Sequence, residues 1–462
     1  MSFCYHHPDK WVSANIDLIE EKLEKSKKTV VFIAGASSSG KSYCARLLSA
    51  VLEQNGHKSC IISLDNYNVG LSHLIPMKVS LNYFDGKLPH LEEISSAIRP
   101  LLETIPFDRK YDEEALKKIR PFVEPYFASD KELDGFLVLL NKEWKVLNFD
   151  EPVVYDMSLA AKDVKSLLEN GLVPKRTYSK VISERVDSDE ILSGKDYDVI
   201  IIEGIYALNE SLIHLFDRES IITNFIDGNP KSLFLRRVIR DSKGNFTSAS
   251  SAFTTKLYFK YIIPSYISTI LPSKEYADVI YINDMTYLEK KNGDLYMTKM
   301  EIHTNSKKAI DHILRHSIIH ETVYVKDTFF STRGEESPFD NVLRLRSYSS
   351  DEGKNYVPQS LVHKGLPKVR KDSKIIRPIN VLIREGDFDK VWNSEMDCLS
   401  DFASAGFLIG PIQHKIKWKI EYKKQKLTIR FVDSKGYFIE FDDPDEKLAL
   451  DYVTATLKKY QG

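Results

Sequence analysis

Gly35-Ala36-Ser37-Ser38-Ser39-Gly40-Lys41-Ser42 is the run of residues whose types and spacing most directly predict chemistry. Its glycines let the backbone wind tightly enough for the N–H groups to face phosphate oxygens. Lys41 can then reach the outer phosphates, and the Ser42 hydroxyl can ligate Mg²⁺. This chemistry needs an apolar strand before the run and a helix behind it, whose positive dipole end adds to the site. Val30-Val31-Phe32-Ile33-Ala34 and Tyr43-Cys44-Ala45-Arg46-Leu47-Leu48 supply both. A nucleoside triphosphate with Mg²⁺ is therefore the expected ligand, with Gly35, Ser37, Ser38, Ser39, Gly40, Lys41 and Ser42 around its phosphates.

Other charged residues sit where such a ligand needs them. Asp65 follows the apolar stretch Ser59-Cys60-Ile61-Ile62-Ser63-Leu64. A carboxylate at that end of a parallel strand can take a proton from an attacking hydroxyl or hold Mg²⁺ through water; it can equally start a turn. Glu203 ends the apolar run Val199-Ile200-Ile201-Ile202 and is expected to face the metal. Arg236 and Arg240 are one helical turn apart, with Arg237 beside them. They can clamp a transferring phosphoryl group or form a solvated face. In the second half, Arg344 and Arg346 share one strand face, as do Lys417 and Lys419, and Glu440 and Asp442. On a closed barrel these would line a basic tunnel with an acidic wall, suited to polyphosphate and a divalent metal. An antiparallel sheet with one solvated charged face carries the same pattern.

The elements that position these residues divide the chain. At 462 residues, two or three domains are expected. Residues 1–285 read as alternating apolar strands and amphipathic helices, the pattern of an α/β domain with a parallel sheet. Within it, residues 69–146 read as a helical insertion, with helices over Leu91–Arg99 and Glu113–Arg120, each stopped by a proline (Pro100, Pro121). Residues 286–462 read as alternating strands rich in lysine and arginine, an α+β antiparallel domain. A net charge of −1 argues against a nucleic-acid partner. No apolar run is long enough for a membrane span, and Met1 to His7 lacks the core of a leader, so a cytoplasmic protein is expected. The four cysteines lack metal-type spacing.

The first half resembles the uridine kinases, whose wider family includes phosphoribulokinase and pantothenate kinase. Gly35–Ser42, Ser63-Leu64-Asp65-Asn66-Tyr67, Asn148-Phe149-Asp150-Glu151-Pro152, Ile202-Glu203-Gly204-Ile205 and Arg236-Arg237-x-x-Arg240-Asp241 carry the likeness in the family's order. The resemblance implies ATP as phosphoryl donor and Asp65 as the base acting on a sugar hydroxyl. It also implies Asp150 as a ligand of the acceptor, and Arg236, Arg237 and Arg240 as part of a lid over the phosphates. The family's Tyr-Asp-Phe-x-x-His-Ser-Arg stretch corresponds to Tyr178-Ser179-Lys180-Val181-Ile182-Ser183-Glu184-Arg185. Tyr178 and Arg185 are kept as acceptor-binding residues. The polar partners of a pyrimidine base are not, so uridine is not expected as the acceptor.

The second half resembles the CYTH, or triphosphate tunnel, domain. Its strands Arg344-x-Arg346, Lys364-Gly365, Ile375-Ile376-Arg377, Lys417-x-Lys419 and Glu440-x-Asp442 follow that domain's order, without its opening Glu-x-Glu-x-Lys strand; the nearest stretch is Lys299-Met300-Glu301-Ile302-His303. The fusion is similar to a plant family of tunnel metalloenzymes described as pyrophosphatases. The resemblance implies that Arg344, Arg346, Lys364, Arg377, Lys417 and Lys419 bind polyphosphate, and that Glu440 and Asp442 hold Mg²⁺ or Mn²⁺. Three readings follow. The chain is an ATP-dependent phosphotransferase acting on a small, sugar-bearing hydroxyl acceptor, or a metal-dependent pyrophosphatase or tripolyphosphatase, or a regulatory protein that binds nucleotide and polyphosphate. A homo-oligomer is compatible with each.

Overall fold

The computed structural model describes residues 3–243, 250–283, 295–297, 301–333, 342–364, 368–369, 375–384, 386–433, 435–441 and 446–460. The chain divides into two compact units: 1–228 with 260–284, and 229–259 with 285–462.

The first unit opens with β1 (Phe3–Tyr5), α1 (Pro8–Lys25), β2 (Thr29–Gly35), α2 (Lys41–Gln54) and β3 (Ser59–Ser63). Proline at the first position of α1 suits a helix start, where an N–H would lack a partner anyway. Next come the insertion helices α3 (Leu71–Tyr83), α4 (Leu91–Thr104), α5 (Glu113–Val123) and α6 (Asp130–Lys145). Then follow α7 (Met157–Leu168), the hairpin β4 (Leu172–Ser179) and β5 (Glu184–Ser193), β6 (Val199–Glu203), the short α8 (Glu210–Ile213) and β7 (Ile221–Asp227). After α9 (Pro230–Lys243) and α10 (Ser251–Leu257), which lie in the other unit, α11 (Ile263–Ser265) and β8 (Val279–Ile282) complete it.

The main sheet runs β1-β8-β7-β2-β6-β3 with parallel pairings throughout. Every residue of β2 and β6 is buried, so both faces are covered, and the runs are apolar without alternation. Val30, Phe32 and Ala34 pack on one face with Ile200 and Ile202, while Val31 and Ile33 pack on the other with Cys44, Leu48 and Ile201. The insertion has its own core of Leu71, Leu74, Ile94, Ile98, Ile119, Phe136 and Leu140. Pro100 and Pro121 lie inside α4 and α5 instead of ending them. Proline's fixed φ suits a helix and the loss is one hydrogen bond, which packing of Ile98, Leu102, Ile119 and Val123 outweighs.

The second unit joins α9 and α10 to β9 (Leu295–Met297), β10 (Glu301–Thr304), α12 (Lys307–Arg315), β11 (Ser317–Ser331), β12 (Val342–Ser349) and β13 (Val357–Lys364). β14 (Lys368–Val369), β15 (Ile375–Ile383), α13 (Glu395–Ser404), β16 (Leu408–Tyr422), β17 (Gln425–Val432), β18 (Gly436–Phe441) and α14 (Glu446–Lys459) follow. The sheet is antiparallel in the order β10-β18-β17-β16-β11-β12-β13-β15-β14, with β9 paired to β15. Residues 229–259 join this unit through aromatic packing. Phe234 stands 5.4 Å from Phe402, Phe259 stands 5.8 Å from Trp392, and Phe330 stacks on Phe402 at 4.0 Å.

Candidate functional site

In the first unit, β2 delivers Gly35 with φ 143°, where a Cβ would collide with the Ile226 carbonyl. Gly40, at φ 102°, has the Asn283 side chain 2.6 Å from where a Cβ would lie. Only glycine fits either place, and the tight loop that results opens directly into α2. Lys41 is buried and donates to the Ala36 carbonyl at 2.8 Å, folding its ammonium back over the loop. Asn283 Nδ2 donates to the Ser39 carbonyl at 2.7 Å and braces the loop from outside.

Glu203, buried at the end of β6, links the loop to the next strand. It accepts from Ser42 Oγ at 3.1 Å and from Ser63 Oγ at 2.5 Å. Ser63 leads into the single-turn helix Leu64–Tyr67, which carries Asp65 exposed. The Ser42 hydroxyl and the Glu203 carboxylate are oxygen donors of the kind Mg²⁺ takes, and their proximity fits such an ion.

Beyond Asp65, hydrogen bonds draw distant segments together. Asn66 Oδ1 accepts from the Tyr178 N–H at 3.2 Å, and the Tyr67 carbonyl accepts from the Asp156 N–H at 2.9 Å. Arg185 pairs with Asp156 at 3.3 Å. Burial raises the Tyr178 phenol well above its usual range, helped by the carboxylates of Glu184 and Asp65. Asp150 is buried, its carbonyl accepting from Tyr206 at 2.6 Å. The insertion grips the β4–β5 turn: Leu71 N–H donates to the Ser183 carbonyl at 3.0 Å, and Lys110 donates to Ile182 at 2.9 Å. Glu184 is buried against Ser72, accepting from its N–H at 2.8 Å and its hydroxyl at 2.9 Å. Burial raises the Glu184 carboxyl despite these donors.

Arg236, Arg237 and Arg240 fall on α9, in the second unit; Arg237 and Arg240 bracket Asp241 at 2.7 and 2.8 Å. A second constellation lies in that unit's sheet. Arg346 is directly opposite Asp327 across β11–β12, and Lys417 opposite Arg430 across β16–β17. Asp327 is fully buried and contacts Arg344 at 2.9 Å, Arg346 at 2.8 Å and Lys415 at 2.5 Å. Burial alone would raise its carboxyl, but these cations hold it far below the carboxylate range. Glu440 lies 3.5 Å from Arg430.

Asp327 and Arg430 carry no signal in the repeated charges of one strand, because cross-strand register brings them in, whereas Lys415 shares the parity of Lys417 on β16 and was legible from it. Lys419 has the parity of Lys417 but is exposed and pairs with Glu321 at 2.6 Å. It lies opposite Glu321, next to the β11 irregularity between Ile319 and Glu321. Glu301 stands opposite Glu440 in register. Arg377 lies on β15, its side chain outside the described residues, as is Asp442 altogether. Among the described residues, no group of three or more His, Cys, Asp or Glu is placed to hold a metal.

Burial pushes Lys364 and Lys417 down to about 7 and Lys415 to about 8. Lys364 is pushed further by Arg344, Arg346, Arg430 and Lys415. A lysine whose folded value lies below its unfolded 10.5 releases a proton on folding, so stability rises with pH between about 7 and 10.5. The parent should therefore gain more stability than Lys364→Met between pH 7 and 9, measured by denaturant unfolding without polyanion. Equal slopes would mean that Lys364 keeps its proton in the fold.

Residues 141–286 match the model of the phosphoribulokinase / uridine kinase family. The chain is 32% identical over 134 residues to a uridine kinase of Staphylococcus haemolyticus, covering 29% of this chain and 61% of the relative. It is 32% identical over 148 residues to a uridine kinase of Lactobacillus helveticus, covering 32% and 66%. It thus spans about six-tenths of the length of the curated relatives it matches. The solved structure titled a possible uridine kinase from Bacillus stearothermophilus aligns over 58% of this chain and 99% of that one, at 13% identity and a TM-score of 0.30. The parallel sheet, its covering helices and the phosphate loop fit the α/β fold of a P-loop kinase. No helix among the described residues is long and apolar enough to cross a membrane.

Proposed function

We propose that the first unit transfers the terminal phosphoryl group of ATP to a hydroxyl of a small, sugar-bearing acceptor. The observation that carries this reading is Glu203, which ties Ser42 of the phosphate loop to Ser63, two residues before Asp65. This supports donor phosphates after β2 and an acceptor base after β3 at the same end of the sheet, on either side of β6, as phosphoryl transfer requires. The loop N–H groups and Lys41 bind the phosphates. Ser42 and Glu203 would hold Mg²⁺, which when bound neutralises charge on the phosphates. Asp65 takes the proton of the acceptor hydroxyl as its oxygen bonds to phosphorus and the bond to the ADP oxygen breaks. Asp150, Tyr178 and Arg185 orient the acceptor.

Uridine is not favoured as that acceptor. Ser183, where the uridine kinase pattern has a base-recognising histidine, is engaged by the insertion through Leu71, as its neighbour Glu184 is through Ser72. The test is ATP-dependent phosphorylation of nucleosides, sugar phosphates and pantothenate by the full chain. Lys41→Ala should lower turnover by about a hundredfold or more with the fold intact, since it removes a charge from the phosphates. Turnover indifferent to Lys41→Ala would end the kinase reading, and strong selectivity for uridine would end the argument from Ser183.

For the second unit we propose a CYTH-type site that binds inorganic or organic polyphosphate. Arg344, Arg346, Lys364, Lys415, Lys417 and Arg430 interact electrostatically and outnumber Asp327 and Glu440. An excess of positive charge in a partly desolvated place favours a polyanion. Both carboxylates are already engaged by arginine, which favours binding over metal-assisted hydrolysis.

A further inference from the structure

The cation cluster of the second unit already contains an anion. Arg346 donates to Asp327 through Nε and Nη2, both at 2.8 Å. Arg344 Nη1 and Lys415 Nζ stand at 2.9 and 2.5 Å from Oδ2. Each of these cations meets an incoming ligand with part of its charge neutralised and its position fixed. Lys364 and Lys417 are different. Neither has an ion pair among the described residues, and the charges that act most strongly on Lys364 are positive: Arg344, Arg346, Arg430 and Lys415. Arg344 Nε is also buried and has no acceptor among the described residues. The cluster therefore combines cations held directly against a fixed carboxylate and lysines with no direct ion pair among the described residues.

We propose that Asp327 is a specificity-determining residue, a built-in carboxylate that makes the cluster accept a chain of phosphates and reject a single one. The proposal rests on the polyanion reading of this unit. A lone phosphate drawn to Arg344, Arg346 and Lys415 meets the like charge of Asp327, which is immobile and fully buried. Desolvating that phosphate leaves it no comparable set of donors to replace its water. A polyphosphate carries charge over a longer span. It can neutralise Lys364 and Lys417 while one end takes the N–H that Arg344 leaves over. Asp327 thus penalises compact anions more than extended ones, which is how an internal repulsive group creates discrimination.

The test is calorimetric titration of the full chain with orthophosphate, pyrophosphate and tripolyphosphate at pH 7 and fixed ionic strength. The chain carries Lys41→Ala, so that the phosphate loop contributes least. Tripolyphosphate should bind tightest and orthophosphate weakest. Asp327→Asn should cut the preference for tripolyphosphate over orthophosphate by about tenfold, mainly because orthophosphate gains. A preference that stays the same or widens overturns the proposal. Should Asp327→Asn fail to fold, Lys364→Met and Lys415→Met decide. Lys364→Met should weaken tripolyphosphate binding more, because Lys415 is already engaged by Asp327; an equal or reversed order overturns the assignment. A parent that binds tripolyphosphate while the variants behave otherwise sinks Asp327 alone. A parent that gives no heat sinks the polyanion reading with it.

Discussion

Asp65→Asn is expected to cut phosphoryl transfer by a factor of about 100 to 10,000 while leaving ATP affinity unchanged. Asp65 is exposed on the turn after β3. The nearby side chains are tied to other groups: Ser63 to Glu203, Asn66 to Tyr178 and Tyr67 to Asp163. Asparagine keeps the size and the turn but cannot accept a proton. The loss must therefore appear in turnover, and stability should change little, as for most exposed positions. Pre-steady-state phosphoryl transfer beside ATP titration separates the outcomes. If the variant binds Mg²⁺–ATP more weakly with turnover intact, Asp65 belongs to the metal's surroundings and the base lies elsewhere.

What was legible in the sequence is whatever is contiguous along the chain. The phosphate loop is one uninterrupted segment with its strand and helix attached, so its residues and conformation follow from local rules. The strand ends holding Asp65 and Glu203 were legible for the same reason, since buried parallel strands are short apolar runs with polar punctuation. That Glu203 would bridge Ser42 and Ser63 was not legible, because it depends on β6 lying between β2 and β3. Helix stops assigned at Pro100 and Pro121 failed where tertiary packing outweighed a single lost hydrogen bond.

The second unit makes the same point more sharply. Alternation placed Arg344 and Arg346 on one face, but only the pairing of β11 with β12 and β16 reveals the carboxylate between them. Lys415 was passed over beside Lys417, and Lys419 was accepted on parity although it reaches solvent. The membership of 229–259 was equally hidden. Phe234 and Phe259 sit in a stretch read as part of the first domain, and each packs on an aromatic ring more than a hundred residues downstream. Nothing local in a sequence records such a partnership.

Arg344→Ala combined with Arg346→Ala should destabilise the second unit by about 3 to 5 kcal/mol, because among the described residues it leaves buried Asp327 with Lys415 as its one remaining cation partner. Removing two positive charges also relieves Lys364 and Lys417. That relief is the smaller effect, since the arginines touch Asp327 at 2.8 to 2.9 Å whereas neither lysine makes an ion pair among the described residues. The sign can be checked with pH. In the parent, the depressed Asp327 carboxyl contributes stability above its unfolded value near 3.8, lost only as pH falls toward its folded value. Between pH 7 and 5 the parent should therefore show no change from Asp327. In the double variant burial dominates and the carboxyl is raised, so acidification from pH 7 to 5 should restore stability. Adding Asp327→Asn should restore it at pH 7 as well, which makes the triple variant more stable than the double. Denaturant midpoints for the parent and both variants measure all three effects. A triple variant no more stable than the double would mean that the buried carboxylate is not what these arginines hold in place.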